Sequence, residues 1–87
     1  MDDHAKRVCV PLVRGWAEFE NDAADLLDLA RLAEHASDAL DNASAPLPQL
    51  LRAAASDLEY AYYTNDREDH QQVGRQILRP VMLAMDN

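Results

Sequence analysis

Apolar residues recur along this chain with a helical period. Val8, Leu12, Trp16 and Phe19 are spaced to share one face, which predicts a first helix from about residue 5 to 20. Pro11 falls inside that stretch. Proline removes a hydrogen bond and crowds the preceding turn, so the helix is expected to begin near Pro11 or to kink there, and residues 5–13 read as either helix or extended chain. Asn21 or Asp22 then offers an N-cap, with Asp25 in the place of a capping-box acid. The second stripe comprises Leu26, Leu29, Ala30, Ala33, Ala36, Ser37 and Leu40, with small residues that let a neighbouring helix approach closely. Asp28, Arg31, His35 and Asp38 fall on its other side.

The segment DNASAPLP, residues 41–48, is the clearest break, with Ser44 as a cap and Pro46 suited to a first helical turn. A third stripe follows: Leu47, Leu50, Leu51, Ala54, Leu58, Ala61 and Tyr62, ending around Thr64. Thr64, Asn65 and Asp66 can cap a fourth helix, with Glu68 and Asp69 at its positive end. Val73, Ile77, Val81 and Ala84 form its stripe, and Pro80 is expected to bend or end it, leaving VMLAM as an apolar tail. With no alternating strand pattern of any length, the four stripes predict an all-α fold, a small antiparallel bundle of about four helices forming one domain over residues 1–87.

Composition narrows the function more by exclusion than by signature. A chain of 87 residues, 48% hydrophobic, is expected to build one compact core with a thin margin of stability, which leaves room for a homodimer held by the tail. Its one cysteine, Cys9, has no internal partner and reads as a buried thiol in a reducing cytosol. The run VCVPLV is far too short to span a bilayer, and neither a signal peptide nor a membrane segment is recognised. A net charge of −8 disfavours direct contact with nucleic acid. That charge is uneven, because residues 18–41 hold eight of the sixteen acids against Arg31 as their one Lys or Arg.

Catalytic and cofactor chemistry finds no pattern here. His4, His35 and His70 lack the Glu-x-x-His spacing of helical dimetal sites, which makes His70 a structural or capping residue, and no metal or other cofactor is expected. Cys9, His70 and the carboxylates supply no recognisable nucleophile–base arrangement, so no enzyme is predicted; a small enzyme or metal protein is the lesser alternative. Gly15 and Gly74 cannot make a phosphate loop, and Gly74 on an inner helix face points to close helix approach.

Three of the five aromatic residues crowd into EYAYYTNDRED, residues 59–69. Helical phase sends Tyr62 inward and Tyr60 and Tyr63 outward. The outward pair either covers the end of the bundle or forms a contact patch with Asp57, Glu59, Asp66 and Asp69 around it. Asp28 and Asp38 on the acidic second helix would add a negative face that steers a basic protein partner. In size and charge the chain is similar to small acidic helical proteins of the immunity or antitoxin type, which neutralise a nuclease; the similarity is one of profile. The expectation is therefore a cytoplasmic protein-interaction module, with a self-assembling helical subunit as the alternative.

Overall fold

The computed structural model describes residues 3–40 and 47–86, which form four α-helices and no strand. They are α1 (Asp3–Glu20), α2 (Leu26–Ala39), α3 (Leu47–Thr64) and α4 (His70–Asp86), the last preceded by a single 3-10 turn, Arg67–Asp69. Asp41 and the expected cap and first-turn residues, Ser44 and Pro46, lie outside the described residues.

Both interior prolines are accommodated without ending a helix. α1 runs unbroken through Pro11 and α4 through Pro80. Each proline leaves one carbonyl four residues earlier, at Arg7 or Gln76, without its helical N–H donor, at a cost of about 3 kcal/mol in the middle of a helix. Here Arg7, Pro11, Gln76 and Pro80 are all exposed, so water can meet the orphaned carbonyls. Stopping at either proline would also uncover core: Ala5 and Cys9 are buried before Pro11, and Val81 is buried after Pro80.

The segment expected to start α2 instead finishes α1. Asp22 adopts a left-handed conformation (φ 62°). Its N–H donates to the Phe19 carbonyl at 3.1 Å, and the N–H of Ala23 donates to the Glu18 carbonyl at 2.7 Å, the hydrogen-bond pair of a Schellman stop. The N-cap of α2 is Asp25, three to four residues later than the spacing suggested. Its carboxylate accepts from the N–H of Asp28 at 2.9 Å, and the Asp28 carboxylate accepts from the N–H of Asp25 at 3.0 Å. Residues proposed to cap α4 likewise close the helix before it. The Thr64 hydroxyl donates to the Tyr60 carbonyl at 2.9 Å, and Asn65 Nδ2 donates to that of Ala61 at 3.2 Å.

The second stripe is buried at every expected position, from Leu26 to Leu40. It packs most extensively on α3, where Leu51, Ala54, Leu58 and Ala61 face it. Buried Ser37 secures this pair by donating from Oγ to the Pro48 carbonyl at 3.0 Å. In α1 the buried line is Ala5, Cys9, Leu12, Gly15 and Phe19, with Val8 and Trp16 half-buried beside it. In α4 it is Gly74, Leu78 and Val81, whereas Val73, Ile77 and Ala84 are half-buried. The tail therefore contributes Val81 to the core while Leu83 stays 57% exposed. Successive helices run antiparallel and pack on one another, and α1 and α4 touch only lightly. The bundle measures 36 × 21 × 19 Å.

Candidate protein-interaction surface

An antiparallel bundle brings its first and third turns to the same end. Phe19, Asp22 and Asp25 from the α1–α2 turn share a surface depression with Arg67, Glu68, His70 and Gln71 from the α3–α4 turn. Two contacts tie the turns together. Gln71 Nε2 donates to the Glu20 carbonyl at 3.1 Å, and Arg75 pairs with the Glu20 carboxylate at 3.0 Å. The result is an acidic pole. Glu18, Glu20, Asp22, Asp25 and Asp28 come from one turn, and Asp66, Glu68 and Asp69 from the other, all exposed.

The pole contains two kinds of carboxylate. Those at the starts of α2 and the 3-10 turn sit where a helix end is positive, and Asp25 and Asp28 cap each other there. Glu18 and Glu20 occupy the last turn of α1, where the helix end is negative and no basic residue of α1 compensates. Arg75 meets Glu20 in an exposed ion pair of the kind worth about 0–1 kcal/mol.

The tyrosines resolve into distinct roles. Tyr60 and Tyr63 are 72% and 70% exposed, so they do not cover the end of the bundle. Tyr62 is half-buried against the core, edge-on to Tyr63 with ring centroids 5.0 Å apart and 5.7 Å from the ring of His70. His70 caps the turn before it through Nε2–H, which donates to the Asn65 carbonyl at 3.0 Å.

The expected contact residues do not form one continuous patch. Asp38, Glu59 and Tyr63 line a groove of about 520 Å³ between α2 and α3, together with Glu34, Arg31 and Arg52. The two arginines offset most of that groove's negative charge. Asp28, at the start of α2, lies where the pole runs into the α1–α2 groove, which it lines with Glu18, Arg31 and His35. Asp57 and Tyr60 are exposed on α3 outside the lining of either groove, and Asp66 belongs to the pole. Glu18, Glu20 and Glu68 carry no pattern in the sequence that marks them as contact residues, because their meeting depends on two turns some 45 residues apart in the chain. The pattern that could have found them is the antiparallel topology, which puts alternate turns at one end.

Cys9 is fully buried, and that burial pushes its thiol above the ordinary value, which keeps it protonated and unreactive. Among the described residues no group of three His, Cys, Asp or Glu side chains is placed to hold a metal ion. No helix there is long and apolar enough to cross a membrane. Comparison with protein-family models, with curated proteins and with solved structures finds no match to this chain.

Proposed function

We propose that the protein is a small interaction module that uses its acidic pole and the adjoining Tyr60 and Tyr63 to bind a basic protein. The observation that carries this reading is the convergence of two carboxylate-bearing turns at one end of the bundle, reached from α3 through its last two turns, where Tyr60 and Tyr63 are each about seven-tenths exposed. Solvent exposure of two aromatic rings does little for folding, whereas tyrosine is enriched among the residues that dominate binding energy. A concentrated pole of one sign also raises the rate of encounter with a partner of the other.

The sharpest form of this reading is an inhibitor of the immunity or antitoxin type that covers the cationic surface of a nuclease. The lone buried thiol suits a reducing cytosol as its setting. Affinity capture from native extract at low salt tests the module directly, using the wild-type chain beside Tyr60→Ala/Tyr63→Ala and Asp66→Lys/Glu68→Lys. A basic protein retained by the wild type, lost from both variants and released as salt rises is the expected result. Retention of the same proteins by all three chains would remove the pole and the tyrosines from the interface.

A further inference from the structure

The outward face of α1 combines exposed apolar side chains with a reversed order of charge. Val10 and Val13 are 40% and 44% exposed, and helical phase puts Val10 nearly opposite the buried line through Ala5, Leu12 and Phe19. Lys6 and Arg7 follow the first turn, near the positive end of the helix, and Glu18 and Glu20 occupy the last turn, at the negative end. Asp3 in the first turn complements the macrodipole, whereas Lys6, Arg7, Glu18 and Glu20 oppose it. Glu20 has Arg75; Lys6, Arg7 and Glu18 form no ion pair among the described residues, although Glu18 shares a groove with Arg31.

We infer that α1 is a self-complementary docking face and that its occupant is the α1 of a second copy of this chain, related by a two-fold axis and running antiparallel. With the axis at Val13, that side chain meets its own copy and Val10 lies beside Ala17 of the second copy. Arg7 then faces Glu18 of the second copy, and Lys6 faces its Glu20, each pair occurring twice. Same-side pairing of this kind is what helical periodicity gives two antiparallel helices. The arrangement sets cations beside anions and the positive end of each helix beside the negative end of the other, which relieves both unfavourable placements. A two-fold contact also closes on itself as a dimer and adds no further copies. One helix from each copy makes a small interface, so the dimer is weak, reversible and sensitive to salt.

This assignment does not depend on the partner proposed above. Tyr60→Ala and Asp66→Lys lie off the α1 face and leave the dimer intact if it is correct. Sedimentation of the full chain at low salt provides the test, with Arg7→Glu, Glu18→Arg and the double swap. Arg7 and Glu18 are three helical turns apart within one molecule, so they cannot pair in the same chain. Each single variant is expected to weaken the dimer by about ten-fold or more, and the swap is expected to restore it, because it rebuilds the intermolecular pair with signs exchanged. A chain that remains monomeric up to about 1 mM, or a swap no tighter than its single variants, overturns the inference. Disulfide trapping provides a second readout. Val13→Cys should cross-link to itself far faster than Ala53→Cys on the exposed side of α3, with buried Cys9 silent in both. Equal rates for the two positions would place the contact elsewhere.

Discussion

Gly74 passes so close to Phe19 that a methyl group on its Cα would stand 3.0 Å from Cε2 of the ring, with Leu26 Cδ2 equally near. Both neighbours are buried, so neither can move freely aside. Glycine thus allows α4 to approach the α1–α2 corner. Ala at this position gains about 1 kcal/mol of helix propensity but overpacks at about 1–3 kcal/mol, and Gly74→Ala is expected to lower stability in chemical denaturation. Gly15 provides the contrast. A methyl there would overlap only the end of the half-buried Leu32 side chain, which can rotate away, so Gly15→Ala should be the milder of the two. The reverse order would contradict the packing described.

Asp22 holds a left-handed backbone that glycine adopts without a side-chain penalty. Asp22→Gly is expected to raise stability by about 0.5–1 kcal/mol, and Asp22→Val to lower it by more than that. Urea midpoints at constant slope measure both. A destabilising Asp22→Gly would show that the carboxylate, not the backbone, matters at this turn.

The reciprocal cap makes Asp25 and Asp28 structural residues whatever else they do. Asp25→Ala should cost about 0.5–2 kcal/mol, whereas Asp38→Ala, exposed in the last turn of α2 where its charge opposes the helix dipole, should stay within about 0.5 kcal/mol. Thermal unfolding distinguishes them. Charge reversal at Asp28 would mix lost capping with lost steering, and Asp66, whose side chain makes no cap hydrogen bond, is the cleaner position for association kinetics.

Stability measurements on the three tyrosines should divide them by burial. Tyr60→Ala is expected to change unfolding by less than about 0.5 kcal/mol. Tyr62→Ala should cost about 1–3 kcal/mol, since it packs on the core and meets both Tyr63 and His70. Tyr63→Ala falls between, through its one edge-on contact, worth about 0.5–1 kcal/mol. If Tyr60→Ala were the most damaging of the three, the phase assigned to α3 would be wrong.

Ser37 is the buried polar residue of the α2–α3 pair, and its hydroxyl has one partner, the Pro48 carbonyl. Ser37→Ala should cost about 0.5–2 kcal/mol, and Ser37→Val more, because the helices are closely packed there. Paired denaturation curves for the two variants give the order.

Periodicity alone determined the class of this fold. Four stripes at helical spacing leave water by packing helix on helix, and α2 and α3 bury nearly the residues their stripes named. Local chemistry was less decisive. Pro11 and Pro80 read as helix ends because proline's cost is local, whereas the burial of Ala5, Cys9 and Val81 that offsets it comes from other helices. Asp22, Thr64 and Asn65 read as starts because their side chains can cap either way; the packing angle of the next helix decides which carbonyls and N–H groups they meet. Outward phase was enough to expose Tyr60 and Tyr63, yet their setting was not legible. The acidic pole joins residues 18–28 to residues 66–69, and a one-dimensional pattern carries no distance between turns that far apart. Only the antiparallel packing of four helices brings them to one end, and it is that packing, driven by the burial of the apolar stripes, that turns scattered charge into a surface.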